Sequence, residues 1–168
     1  MPDGSTMSAA GTPTTAAPGT PTTSAVSSGP SAAAQMICSA DIRSAITTVL
    51  KLPAAPVATS NWANHVYTCT YQLPMGELVL SVTESATEAS ANAYLEDLRQ
   101  QLGAQPLIGL TPLAYGTGDG VVVLVKDSDT LRVDASRLPV QFGDQGQKRT
   151  DFAYEVASDI LGCWTGDS

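Results

Sequence analysis

Apolar residues recur at helical spacing in three stretches beyond residue 35. The first stretch carries five of them at intervals of three and four: Ile42, Ala45, Ile46, Val49 and Leu50. Ser39 precedes this stretch as an N-cap, Asp41 lies in the first turn near the positive end of the helix dipole, and Pro53 follows. The pattern predicts a first helix that ends before Pro53.

Two further helices are predicted in the middle and at the end of the chain. Ser85 to Glu88 matches a capping box, and Gly103 suits a left-handed helix stop. The stripe between them consists of Ala91, Leu95, Leu98 and Leu102. The last helix runs from about Gly146 to Cys163, and its apolar face consists of Phe152, Ala153, Val156, Ala157, Ile160 and Cys163.

Strict alternation predicts a hairpin of two strands between the first two helices. From Val66 to Gln72 one side carries Tyr67, Cys69 and Tyr71. After the turn residues 73–76, alternation resumes with Leu78, Leu80 and Val82. The Pro- and Ala-rich stretch before this hairpin, through Asn61 and Trp62, is predicted to be a loop.

Three more strands are predicted between the second and third helices. Leu113 to Tyr115 is a short one, and Val121 to Lys126 is a continuous apolar run typical of a strand buried on both faces. Leu131 and Val133 follow the turn at residues 127–129. The order α-β-β-α-β-β-β-α predicts an α+β domain over residues 36–168, with an antiparallel sheet of about five strands packed with three helices.

Residues 1–35 differ sharply in composition from the rest of the chain. Thirty of these 35 residues are Ser, Thr, Ala, Pro or Gly, and Asp3 is the only charged one. Such a segment buries too little apolar surface to offset the entropy lost on ordering. We therefore predict a disordered tether. Its Thr-Pro-Thr steps at residues 12–14 and 20–22 are typical of O-glycosylated stalks, with an unmodified linker as the alternative.

The charge balance excludes two classes of partner. The chain has 16 acidic and 8 basic residues and a net charge of −8. Nucleic acids and anionic membrane surfaces are bound through basic patches, so neither is an expected partner. The sequence contains no run of about 18 apolar residues, the length needed to span a bilayer. The acidic surface predicts a soluble monomer.

Three cysteines are spaced too widely for a metal-binding or redox Cys-x-x-Cys motif. A disulfide from Cys38 would pin the start of the ordered region. In the chain-entropy estimate, pairing with Cys69 is worth roughly 3.7 kcal/mol and pairing with Cys163 roughly 4.9 kcal/mol. This difference does not decide the connectivity. We favour Cys38–Cys69, with Cys38–Cys163 and the absence of a disulfide as alternatives.

The sequence carries no complete catalytic or cofactor motif. His65 and Cys69 lie about 13 Å apart along one strand, too far for a nucleophile–base pair. The glycine-rich run 116–120 leads into a strand, which favours a hairpin turn over a phosphate loop. We therefore predict no catalytic residue and no cofactor.

Four acidic residues are candidate oxygen ligands for calcium: Asp119, Asp127, Asp129 and Asp134. Only the pair at 127 and 129 matches the start of an EF-hand loop, and solvated turns are the favoured interpretation, so no metal is predicted. Four aromatic residues are candidates for lining an apolar cleft, with core packing as the alternative: Trp62, Tyr67, Tyr71 and Trp164.

Several short segments resemble a class of exported actinobacterial lipoproteins, chiefly mycobacterial, whose domain has no assigned activity. The similar segments are residues 38–42 (CSADI), 69–71 (CTY), 109–115 (GLTPLAY) and the Ala-rich last helix. Tyr71 stands where this class commonly has Trp. The resemblance implies an α/β sandwich of the PsbP-like or kinase-sensor type, held to the membrane by a diacylated cysteine.

These observations together predict a function in the cell envelope. We expect an export signal and a lipidated cysteine upstream of Met1, with the domain at the outer face of the cytoplasmic membrane or in the cell wall. The predicted role is non-enzymatic binding of a protein partner or a small apolar ligand. The alternatives are an envelope hydrolase, a sensor or adaptor of a membrane kinase or transporter, and a cytoplasmic protein with a disordered N-terminus.

Overall fold

The computed structural model describes residues 29–143 and 146–166, with side chains up to residue 164. Within these residues the helices are α1 (Ala32–Gln35), α2 (Ala40–Leu50), α3 (Glu88–Leu102) and α4 (Arg149–Gly166), and a 3₁₀ turn covers Met36–Cys38. The strands are β1 (Val57–Ala63), β2 (Val66–Leu73), β3 (Gly76–Glu84), β4 (Gln105–Pro106), β5 (Ala114–Gly116), β6 (Val121–Lys126), β7 (Asp129–Asp134), β8 (Gln141–Phe142) and β9 (Gln147–Lys148).

Seven of these strands form one antiparallel sheet in the order β1-β2-β3-β7-β6-β5-β4, and β8 pairs with β9 separately. The predicted α+β class is confirmed. The predicted number of strands was too low by four. The strands β4, β8 and β9 have two residues each and carry no alternation to detect, and the fourth is the longer β1.

The predicted loop through Asn61 and Trp62 is wrong, because these residues belong to β1 at the edge of the sheet. The strand pairs residue by residue with β2, from Val57 opposite Gln72 to Ala63 opposite Val66. The two strands are joined by Asn64 and His65, whose φ angles are 54° and 64°. Two successive positive φ angles define the tight hairpin turn that matches the twist of paired strands.

Helices cover the two faces of the sheet unequally. On one face, α2, α4 and the 3₁₀ turn bury the alternating apolar residues of β2, β3, β6 and β7. On the other face α3 packs mainly on β6 and β7, where Leu95 and Leu98 share a cluster with Val121, Val123 and Val125. It also reaches Tyr115 of β5 through Arg99. The strand β6 is therefore buried on both sides, as predicted.

The predicted helices are present, although one cap differs from the prediction. Ser39 Oγ accepts a hydrogen bond from Ile42 N at the start of α2, and Gly103 ends α3 with a φ of 65°. The capping box of α3, however, is formed by Thr87 and Ser90 rather than by Ser85 and Glu88. The Ser90 hydroxyl accepts from the N-cap amide, as the Glu of the usual motif does. Because Thr87 is the N-cap, the helix begins two residues later than predicted.

The folded domain begins before the predicted boundary at residue 35. Ser31 caps α1, and Ala34 is completely buried. Residues 1–28 of the predicted tether lie outside the described residues.

Residues 31–38 are tied to the domain by three hydrogen bonds and a disulfide, besides the burial of Ala34 and Ile37 in the core, and we refer to this segment as the N-terminal clamp. The hydrogen bonds are Ser31 N to Glu84 Oε2 (2.8 Å), Trp164 Nε1 to Ala33 O (2.8 Å) and Tyr71 Oη to Ile37 O (2.7 Å), and the disulfide is Cys38–Cys69. The favoured cysteine pairing is therefore confirmed. Cys163 is half-buried and is not part of the disulfide.

Candidate binding face

Half of one sheet face is left without a covering helix, and its half-buried and exposed residues form the candidate site. Antiparallel pairing places successive partners side by side on the same face. One such row crosses four strands: Asn61, Thr68, Ser81 and Arg132. The next partner is Val123, which is completely buried beneath α3. Helix α3 therefore forms the wall at which the exposed part of the row ends.

The neighbouring row has the same polar character. It consists of Thr59, Thr70, Val79 and Asp134. We call these two rows, together with Val66, Thr83 and the adjoining Tyr94 of α3, the open face. Hydroxyl and amide side chains dominate it, so it offers hydrogen-bond donors and acceptors rather than a continuous apolar surface.

A groove with a volume of about 260 Å³ runs along the open face beside α3. It is lined by Val66, Thr68, Val79, Ser81, Thr83, Tyr94, Arg132 and Asp134. Tyr94 is 37% exposed, so its ring forms an accessible rim. A ligand in this groove would meet hydroxyl groups on its floor and an aromatic ring at its side.

One ion pair supplies the charge of the groove. Arg132 Nη2 lies 3.7 Å from Asp134 Oδ2, and Asp134 Oδ1 accepts hydrogen bonds from Ser136 N (2.9 Å) and Ser136 Oγ (2.5 Å). The carboxylate is therefore oriented by the loop after β7. The Arg132 side chain is 37% exposed, so guanidinium donors that do not face Asp134 are available to a ligand.

The four aromatic candidates do not line this groove. Tyr67 and Tyr71 lie on the opposite, helix-covered face, and Trp62, the partner of Tyr67, lies on that face as well. Burial raises the pKa of Tyr71 to about 12, and its hydroxyl binds the N-terminal clamp. Trp164 contacts the same clamp. Three other surface cavities, of about 220, 200 and 470 Å³, are lined by other residues.

The only histidine of the chain contacts Trp62 at the end of the β1–β2 hairpin. His65 lies in the β1–β2 turn, and its ring centroid is 6.1 Å from that of Trp62, on the opposite side of the sheet. Cys69 is completely buried in the disulfide. The structure therefore does not pair His65 with either a thiol or a row hydroxyl as a nucleophile–base pair would require.

The four candidate calcium ligands are divided between two ends of the sheet. Asp127 and Asp129 lie at the start of β7, whereas Asp119 precedes β6 near Asp134, at the other end of β7. Five residue steps along a strand separate these ends by roughly 16 Å. Among the described residues no group of three or more His, Cys, Asp or Glu side chains is placed to hold a metal ion.

The glycine-rich run connects β5 with β6 in an antiparallel pair, which confirms the predicted hairpin turn. Thr117 stabilises this turn, because its amide donates to Val121 O and its hydroxyl accepts from Val121 N. The run therefore does not lead into a helix whose amides bind phosphate.

Sequence reasoning did not identify the open face. The alternation from Val66 to Gln72 puts Tyr67 and Tyr71 on one side and leaves Thr68 and Thr70 on the other. Nothing in that pattern shows which strands α3 leaves uncovered, since this depends on where the helix packs.

Comparisons with protein-family models, with curated proteins and with solved structures find no match for this chain. The resemblance to exported lipoproteins therefore stays a prediction. The disulfide fits an oxidising, extracytoplasmic location. Among the helices that the structure describes, none has the length and apolar character needed to cross a membrane.

Proposed function

We propose that this protein is a non-catalytic, extracytoplasmic binding domain that recognises a protein partner through the open face. The observation that carries the proposal is the uncovered half of the sheet, where two rows of polar side chains end at the wall formed by α3. An antiparallel sheet can leave a polar face in solvent, and this one is bounded by a helix, so its side chains are accessible to a second molecule.

A protein partner fits this surface better than a small apolar ligand. Most side chains that line the groove are polar, and Tyr94 is its single aromatic residue. Of the aromatic candidates, Tyr67, Tyr71 and Trp164 are engaged in packing or in the N-terminal clamp, and Trp62 lies on the other face. Small-molecule sites are typically concave, mostly apolar and larger than this groove. A flat row of hydroxyl groups with one ion pair instead suits the polar contacts of a protein interface.

The position of His65 supports a binding role over hydrolysis. Activation of a row hydroxyl as a nucleophile requires a base within hydrogen-bond reach. The only imidazole of the chain contacts Trp62 on the other side of the sheet.

We further propose that the residues before the N-terminal clamp, 1–30, tether the domain to the outer face of a bacterial membrane through a lipid-modified cysteine. The Ser-, Thr-, Ala-, Pro- and Gly-rich composition of this segment supports a spacer role, and the disulfide supports the compartment. Metabolic labelling of the protein in its native host with a fatty-acid probe tests the anchor. Absence of label in membrane-associated protein would contradict it.

Site-specific photocrosslinking in living cells of the native host tests the binding face. A photoreactive amino acid at Ser81, in the middle of the open face, should give one adduct of defined mass. The matched control places the same group at Ser158, an exposed position on α4. We expect Arg132→Glu to reduce the Ser81 adduct at least tenfold, because it reverses the charge at the end of the row. Equal adducts from both positions, or none from Ser81, would contradict the proposal.

A further inference from the structure

The two edges of the main sheet differ in how they are protected. Exposed edge strands are usually blocked by charged side chains, proline, bulges or very short length, because their free backbone groups pair readily with another strand. The edge strand β4 has two residues, and one of them is Pro106. The opposite edge strand, β1, has seven residues with the sequence VATSNWA and contains neither charge nor proline.

The ladder between β1 and β2 is regular over its whole length. Seven consecutive residue pairs show no bulge, and within the described residues β1 pairs only with β2. Five of its seven residues are exposed. This edge therefore presents a straight segment of unprotected backbone.

The alternation of the ladder determines which backbone groups point outward. Ala63 and Val66 flank a two-residue turn and so form a pair that exchanges both backbone hydrogen bonds. Ala63 and every second residue of β1 before it therefore direct their N–H and C=O groups toward β2. The residues between them, Ala58, Ser60 and Trp62, direct their N–H and C=O groups away from β2.

We propose that two copies of this chain pair through β1 in an antiparallel arrangement, with Ser60 on the twofold axis. In this register Ser60 faces Ser60 of the second copy, and Ala58 faces Trp62 of the second copy. All three outward-facing residues then lie in hydrogen-bonded pairs, which gives six backbone hydrogen bonds between the copies. This inference goes beyond the proposed function and does not depend on it.

The side chains of β1 are complementary to one another in this register. The large ring of Trp62 lies opposite the small side chain of Ala58, and Thr59 lies opposite Asn61, on the side of the sheet that carries the open face. Each side chain thus meets a partner from the same face. The open faces of the two copies would join across the axis into one surface.

The net charge of the chain does not oppose pairing through β1, and the protected edge at β4 limits the association to two copies. A monomer was predicted from the net charge of −8, but β1 carries none of this charge. A twofold interface uses the same strand of both copies, and Pro106 blocks the other edge. Pairing through one strand buries less surface than a standard interface, so we expect association in the micromolar range.

Analytical ultracentrifugation of the full chain at micromolar protein concentrations measures the monomer–dimer equilibrium and tests this arrangement. Two substitutions at Ser60 are compared with wild type. Ser60→Pro removes an outward N–H, which the β1–β2 ladder does not use, and should shift the protein to monomer at all concentrations. Ser60→Val is the matched control, since it keeps the N–H and should still dimerise. A wild-type chain that stays monomeric, or a dimer unaffected by Ser60→Pro, would overturn the proposal.

Cysteine crosslinking provides a second test that does not depend on the folding of the proline variant. In a Cys163→Ser background, Ser60→Cys places two thiols on the axis, at a Cα separation within the range of disulfides. Mild oxidation should then give a covalent dimer. Thr59→Cys is the control, because each copy's residue 59 faces residue 61 and its two thiols lie diagonally apart. Equal crosslinking at positions 59 and 60, or none at 60, would overturn the proposed register.

Discussion

At the scale of single residues, Asp129 carries an unfavourable charge. It lies at the start of β7 directly opposite Glu84 of β3. Burial raises its pKa to about 6, and the nearby carboxylates of Glu84 and Asp127 contribute to the shift, while Lys126 opposes it. At neutral pH the folded protein therefore holds an ionised carboxylate in a position that favours the protonated acid.

This shift predicts how stability depends on pH. Between about pH 4 and pH 6 the folded state binds a proton at Asp129 that the unfolded chain has lost, so the contribution of Asp129 to the free energy of unfolding falls as pH rises through this window. We expect Asp129→Asn to raise the free energy of unfolding at pH 7 by about 1 kcal/mol, a value reduced by solvent screening because the side chain is only half-buried. Urea unfolding at pH 4 and pH 7 measures both effects.

Asp97→Asn, at an exposed position on α3, is the matched control for this prediction. Its free energy of unfolding should stay within about 0.5 kcal/mol of wild type at both pH values. If Asp129→Asn destabilised the protein at pH 7, the proposed penalty on its charge would be wrong.

At the scale of elements, the sequence predicts best where one strong pattern governs the local structure. The sequence predicts both β6 and α3, because the apolar side chains of each element are the ones that become buried and their spacing is visible in the sequence. The strand β1 was missed for the opposite reason. It buries little, and it is held by backbone bonds to β2 and by the turn at Asn64 and His65. A polar strand of this kind depends on its neighbour rather than on its own pattern.

The start of α3 provides an experimental distinction between two capping residues. Thr87 Oγ1 accepts a hydrogen bond from Ser90 N at 3.1 Å, and Ser90 Oγ accepts one from Thr87 N at 3.1 Å. Thr87→Ala removes the acceptor for an amide that has no partner within the helix, so we expect a loss of about 1 kcal/mol in the free energy of unfolding. Denaturant unfolding with an unchanged m-value measures it.

Ser85→Ala is the matched control, because the sequence pattern assigned the cap to Ser85 and the structure assigns it to Thr87. We expect the control to change the free energy of unfolding by less than about 0.5 kcal/mol. A larger loss from Ser85→Ala than from Thr87→Ala would contradict the observed start of the helix.

At the scale of the whole molecule, the candidate site depends on tertiary packing that no local pattern contains. Alternation places Thr68 and Ser81 on one side of their strands, but the sequence cannot show that α3 covers β6 and β7 and stops short of β3. The aromatic residues that the sequence offers as ligand-lining candidates lie outside this site. Two of them, Tyr71 and Trp164, hold the N-terminal clamp.

The disulfide should contribute strongly to global stability. It links residues 31 positions apart and joins the N-terminal clamp to β2. Replacement by Cys38→Ala together with Cys69→Ala should lower the free energy of unfolding by about 3–4 kcal/mol, because the unfolded chain regains the entropy of an open loop. Thermal and denaturant unfolding of the double variant measure the loss.

Cys163→Ala serves as the control, since Cys163 lies outside the disulfide. It removes only one sulfur from a half-buried position, so we expect a markedly smaller loss than in the double variant. Mass spectrometry of the non-reduced wild-type protein should show the Cys38–Cys69 linkage. A fully reduced protein isolated from its native host would contradict the assigned compartment.

The N-terminal clamp also determines how the domain would respond to tension. A pull applied from the direction of residue 29 acts first on the hydrogen bonds of Ser31, Ala33 and Ile37, which can break one after another. At Cys38 the load passes through a covalent bond into Cys69, in the middle of a strand that has neighbours on both sides. The helices and strands that follow are thereby shielded from unravelling, and reduction of the disulfide would transfer the load to α2.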